Sequence, residues 1–97
     1  MNYDVIIQPE AEEEIDEAYE YLNATRNSLG FDFLALLTEI IEKLEANPFQ
    51  FQKIQSEKRR AVIKRFKYNV IYQVIDDEVF ILAVIHGSRA PRRWHDR

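Results

Sequence analysis

The sequence predicts an α+β fold, β-α-α-β-β-β in order, with a helical hairpin packed on one face of a largely antiparallel four-stranded sheet. Three observations lead there. From Arg60 to His86 the chain holds three runs rich in Val, Ile, Phe and Tyr, broken at Arg65-Phe66-Lys67 and at Asp76-Asp77-Glu78. Such runs, separated by turn-forming residues, read as a three-stranded meander. Between Pro9 and Ala46 apolar residues recur at helical spacing in two blocks, and Tyr3 to Ile7 is a short strand candidate ahead of them. A chain of 97 residues with 46% hydrophobic content builds one core, so residues 1–97 form a single domain.

Each element has its own signal. Gln8-Pro9 ends the first strand, because proline has no amide hydrogen for a sheet ladder, and Pro9 suits a first helical turn. Glu10, Glu12, Glu13 and Glu14 follow, where negative charge complements the helix dipole. Ala11, Ile15, Ala18, Tyr19 and Leu22 form the apolar stripe, which leaves the glutamates on a solvated face. Asn23 to Ser28 is a break rich in cap residues, with Ser28 as N-cap of a second helix running to about Ala46. Its apolar set is Phe33, Leu34, Leu37, Ile40, Ile41 and Leu44, and Asn47-Pro48 stops it. Phe49, Phe51 and Ile54 then plug the end of the core. Gln55 to Arg60 is a polar, basic approach to the meander, and Asp76-Asp77-Glu78 makes its second turn.

Charge is unevenly placed. The net charge of -4 divides into -10 over residues 1–52 and +6 over residues 53–97. A basic sheet half suits a polyanion or an acidic partner, or else is neutralised by the protein's own acidic helices. Cysteine is absent and there are two histidines, so neither a disulfide framework nor a thiolate metal site is possible, and no cofactor is called for. The start lacks the pattern of a signal peptide and no apolar run is long enough to span a membrane, which points to the cytoplasm.

Strict alternation along the meander sets Tyr68, Val70, Tyr72 and Val74 on one face and Asn69, Ile71, Gln73 and Ile75 on the other. In the last run Phe80, Leu82, Val84 and His86 oppose Val79, Ile81, Ala83 and Ile85. Both faces are apolar, yet two helices cover one. The second face therefore expects a homodimer partner or a dedicated one, across Ile71, Ile75, Ile81, Ala83 and Ile85.

The element order, the strand Arg65-Phe-Lys-Tyr68-Asn-Val-Ile-Tyr72-Gln-Val, and Leu82-Ala-Val-Ile-His86-Gly-Ser-Arg89-Ala-Pro91-Arg-Arg-Trp94 resemble the RelE/ParE family of bacterial toxins over essentially the whole chain. Tyr68-x-x-x-Tyr72 and His86-x-x-Arg89-x-Pro91 are the most specific parts. The resemblance implies a toxin of a type II toxin-antitoxin module, held by a cognate antitoxin that covers the basic sheet side and buries the five residues just named. Toxin and antitoxin then form a hetero-oligomer. It also implies one of two targets, since some members are ribosome-dependent mRNA endoribonucleases and others poison DNA gyrase.

Metal-free RNA cleavage needs proton-transfer groups and fixed cations at the scissile phosphate. The candidates are His86, Lys64, Arg65 and Arg89, and contact with the target or with nucleic acid extends to Arg60, Arg92 and Arg93. Ribonuclease members similar to this chain carry an arginine after the first tyrosine, where Asn69 stands, and a lysine pair in the first meander strand that is missing here. That departure favours gyrase inhibition. His86 then hydrogen-bonds at a strand end, Tyr68 and Tyr72 belong to the core, and Trp94 anchors the tail. A member without toxicity would share all of these features.

Overall fold

The computed structural model describes residues 2–88 and Arg97. Strand β1 (Asp4–Ile7) leads into helices α1 (Pro9–Thr25) and α2 (Leu29–Ala46). A 3-10 turn (Pro48–Gln50) precedes strands β2 (Gln52–Gln55), β3 (Lys58–Ile63), β4 (Tyr68–Ile75) and β5 (Glu78–His86). The sheet has five strands in the order β1-β5-β4-β3-β2, one more than the sequence predicts. The added strand is β2, too short and polar to show an apolar period. Its backbone nevertheless pairs antiparallel with β3, from Gln52 opposite Arg60 to Gln55 opposite Lys58, and this starts β3 at Lys58. β1 lies parallel on β5 with Asp4 opposite Glu78, and the remaining pairs are antiparallel. Among the described residues no helix is long and apolar enough to cross a membrane.

Both helices lie on one face of the sheet. α1 begins at Pro9, with Glu10 and Glu12 in its first turn, and buries Ala11, Ile15, Ala18 and Leu22. Ser28 precedes α2 as expected but makes no capping bond with its side chain, and its backbone is left-handed at φ 77°. Asn23 supplies the cap instead, its Oδ1 accepting the amide of Gly30 at 2.8 Å across the hairpin. Phe33, Leu37, Ile40 and Leu44 of α2 complete a core with Ala61, Ile63, Val70, Tyr72, Val79, Ile81 and Val84 of the sheet. Asn47 ends α2 and accepts the amide of Phe49 at 3.1 Å. Of the predicted apolar plug, Phe51 packs on this core, Phe49 is exposed, and Ile54 lies on the opposite face.

The two faces are not those of a strictly alternating strand. Ile71 pairs with Ala83 and Tyr72 with Ile81, so Leu82 is an extra residue on β5. This bulge exchanges the faces along the strand. Val79 and Ile81 before it point at the helices, as does Val84 after it, while Ala83 and Ile85 point away. Ile81, predicted on the uncovered face, is therefore a core residue with 0% exposure. Ile71, Ala83 and Ile85 do share the far face but are buried as a small cluster against Ile54, which the unforeseen β2 brings there. Of the five residues expected to lie open, Ile75 alone is exposed, at 50%.

Candidate functional site

One end of the sheet collects most of the described candidates. Lys64, Arg65, Phe66 and Lys67 form the turn between β3 and β4, where Lys67 adopts a left-handed φ of 60°. The amide of Gly87 donates to the carbonyl of Lys67 at 2.7 Å and ties this cationic turn to the end of β5, where His86 stands. Lys64, Arg65 and Lys67 are exposed. Arg65 is already engaged, 3.2 Å from Asp32 and with its guanidinium 4.9 Å from the centre of the Phe66 ring. Both partners of that ion pair are about half exposed, so it contributes at most ~1 kcal/mol and is readily exchanged for another anion.

His86 is held at a strand end. Its Nδ1 accepts the amide of Ser88 at 3.1 Å and lies 2.9 Å from Ser88 Oγ, which places the proton of the neutral ring on Nε2. The ring stands edge-on to Tyr68 at 5.4 Å, Tyr68 meets Phe33 at 5.1 Å, and Phe33 meets Phe66 at 6.0 Å. The four rings make a run of edge-on contacts from His86 to Phe66. His86 lines a groove of about 650 Å³ with Glu14, Glu17, Tyr21 and Tyr68. Lys64 and Arg65 line another, of about 420 Å³, with Leu36, Glu39 and Lys43 of α2. No described residue lines both. Arg60 is exposed opposite Ile71, on the face away from the helices. Arg89, Arg92 and Arg93 lie outside the described residues, as do Pro91, Trp94 and His95.

Both tyrosines of β4 pack into the helix-side core. Tyr72 is fully buried and donates to the carbonyl of Pro48 at 2.6 Å, and burial pushes its hydroxyl up to about 12. Tyr68 is half-buried and packs against the core. Arg59, not singled out in the sequence, donates to the carbonyls of Phe49 and Phe51 at 3.3 and 2.7 Å and so fixes the segment before β2.

Glu14 departs from its expected solvated place. β1 reaches only Ile81 on β5, which leaves the strand edge beyond it without a backbone partner from β1. Glu14 Oε1 accepts the amide of Val84 at 3.0 Å, and Arg97 donates both to that oxygen at 2.8 Å and to the carbonyl of Leu82 at 3.1 Å. The bond to Glu14 is the chief cause that raises Arg97 above its ordinary value. The signal was available, because position 14 lies three after Ala11 and four before Ala18, on the flank of the buried stripe. Among the described residues no cluster of three or more His, Asp or Glu side chains is placed to hold a metal ion.

Comparison with known proteins places this arrangement. Residues 5–91 match the family described as ParE toxin of type II toxin-antitoxin system, parDE. No curated protein sequence matches the chain. Among solved structures, a chromosomal ParDE toxin-antitoxin system from P. aeruginosa superposes with a TM-score of 0.76 at 15% identity, covering 88% of this chain and 96% of that one. The isolated E. coli RelE toxin gives 0.67 at 18% identity over 94% and 90%. A double arginine-to-alanine mutant of E. coli RelE, in complex with an antitoxin RelBc peptide, gives 0.68 at 18% identity over 99% and 94%. At these identities the structural likeness concerns the fold.

Proposed function

The chain belongs to the ParE toxin family of type II toxin-antitoxin systems, and on that footing we propose that it arrests growth by inhibiting DNA gyrase and is restrained by a cognate antitoxin. One observation carries the choice of target. A ribonuclease must bring a proton-transfer group and a phosphate-binding cation to one scissile bond. Here His86 and the pair Lys64 and Arg65 line separate grooves. A binding protein has no such requirement, and dispersed cations serve it as well as gathered ones. Asn69, standing where similar ribonucleases carry arginine, supports the same reading. The second reading, a ribosome-dependent endoribonuclease with His86 and Arg89 as its reactive pair, draws support from the bond that ties the cationic turn to the His86 strand end.

The purified protein is added in parallel to a gyrase supercoiling assay and to a translating extract in which message ends are mapped. The expected outcome is inhibited supercoiling with messages intact. Codon-positioned cuts with normal supercoiling would overturn the gyrase reading, and His86→Ala would then abolish cleavage while ribosome binding persists. An antitoxin partner is supported by the antitoxin peptide bound to the RelE relative. Of the sheet residues expected to meet it, Ile75 is the one with apolar surface to offer.

A further inference from the structure

On α1, Glu10, Glu14, Glu17 and Tyr21 stand four, three and four residues apart, which sets them in one stripe along the helix. The first half of that stripe already holds a guanidinium. Arg97 lies 2.8 Å from Glu14 and 3.8 Å from Glu10, and donates to the carbonyl of Leu82 at 3.1 Å. The second half is open, for Glu14, Glu17 and Tyr21 line the groove of about 650 Å³ with Tyr68, His86 and Ser88. Glu17 is exposed there and has no bonding partner among the described residues. Glu14 is the reverse, with a side chain only 9% exposed. Its Oε1 is taken by Arg97 and by the amide of Val84, while its Oε2 is buried with no hydrogen-bond partner. A carboxylate oxygen so placed is costly until a donor satisfies it. Tyr21, 67% exposed, adds an aromatic ring to the lining.

We propose that this groove binds an alkyl guanidinium, carried by a free small molecule or by an arginine side chain, with the cation at Glu14 and Glu17 and the stem along the tyrosines. Charge selects the class of ligand. Glu10, Glu14 and Glu17 bring three carboxylates and Arg97 one guanidinium, so a second cation is attracted and a phosphate is repelled. A metal ion finds no ligand set, since among the described residues no three His, Asp or Glu side chains converge. Between organic cations, Arg97 shows that the carboxylates of this stripe accept a guanidinium, whose planar fork is weakly hydrated and also stacks on aromatic rings. The groove lies within the roughly 300 to 1,000 Å³ of small-molecule sites. None of these observations depends on which target the protein has.

The probe is agmatine, an alkyl guanidinium with no carboxylate, added to the isotope-labelled full chain. Saturable shifts are expected at the amides of Glu17, Tyr21, Ile85 and His86. Pentylurea, of similar shape but uncharged, produces none, and cadaverine, which carries ammonium groups alone, binds more weakly than agmatine. Because Glu14 also supports the fold, the site is tested at its exposed positions. Glu17→Gln weakens agmatine about tenfold and Tyr21→Ala about threefold, while both variants melt like the native chain. A second arm replaces agmatine with the blocked tripeptide acetyl-Ala-Arg-Ala-amide. Whichever of the two binds more tightly identifies the source of the guanidinium. Absence of saturable binding by either, unchanged affinity in Glu17→Gln, or equal binding of pentylurea or cadaverine overturns the proposal. Shifts confined to Glu10 and Arg97 overturn it too, because the ligand would then be replacing Arg97 and leaving the groove empty.

Discussion

Tyr72 from the sheet and Glu14 from α1 each bring a polar group into otherwise apolar surroundings, and each makes a bond whose loss can be measured. The Tyr72 hydroxyl, raised to about 12 by burial, keeps its proton in the folded chain over a range where an unfolded tyrosine, near 10, has lost it. Stability contributed by the neutral hydroxyl is whole below about pH 10 and is lost as the pH rises toward about 12, at roughly 1.4 kcal/mol per unit. Tyr72→Phe removes the bond to Pro48, costs about 1 kcal/mol at neutral pH, and flattens the alkaline limb of a denaturant-midpoint profile. An unchanged limb in that variant would show that another group carries it. Glu14→Ala leaves the Val84 amide buried without its acceptor and deprives Arg97 of its partner, a loss of about 2 to 3 kcal/mol by denaturant titration. Glu14→Gln keeps an acceptor and loses the smaller part; if both variants match the native midpoint, the Glu14 clamp contributes nothing.

At the scale of elements, the hairpin and the sheet differ in how far the sequence reveals them. Helix limits at Pro9 and Asn47 and the turn at Asp76-Asp77 follow from local chemistry, and the structure has them in place. β2 and the bulge were not legible, since a four-residue polar strand carries no period and one extra residue at Leu82 leaves no mark on composition. The consequence is concrete at Ile81, where alternation predicted a surface and the strand delivers a core position. Ile81→Glu places an unpaired carboxylate among Val79, Val84 and the helices, and we expect loss of the cooperative thermal transition rather than a folded, partner-deficient protein. A folded variant with native melting would restore the face assigned by alternation. Of the candidate site the sequence supplied Lys64, Arg65 and His86 but not their division between two grooves, which depends on how the helices pack against the strand ends. Gly30 is the hairpin's counterpart. A Cβ there falls 2.6 Å from the Tyr19 ring and 2.8 Å from Asn23 Oδ1, so Gly30→Ala costs about 1 to 3 kcal/mol in a denaturant titration despite alanine's better helix propensity.

Over the whole molecule the charge asymmetry becomes spatial. The acids of α1 lie on the helical layer, while Lys64 and Lys67 at the turn and Arg60 on the far face stay exposed. Internal neutralisation reaches Arg65 through Asp32 and Arg97 through Glu10 and Glu14, and it leaves Lys64 and Lys67 outward at the sheet end. Cations in such a position add to association with a DNA-bound target by displacing condensed counterions, a contribution that falls linearly with the logarithm of salt. If gyrase is the target, as proposed, binding to gyrase loaded with DNA should weaken steeply between low and physiological salt, and Lys64→Ala and Lys67→Ala should each lower the slope by about one if each neutralises a phosphate. The measurement is a salt titration of affinity for gyrase with and without DNA. A response that is flat, or identical in the presence and absence of DNA, would assign these lysines to protein contact alone and move the nucleic acid away from this end of the sheet.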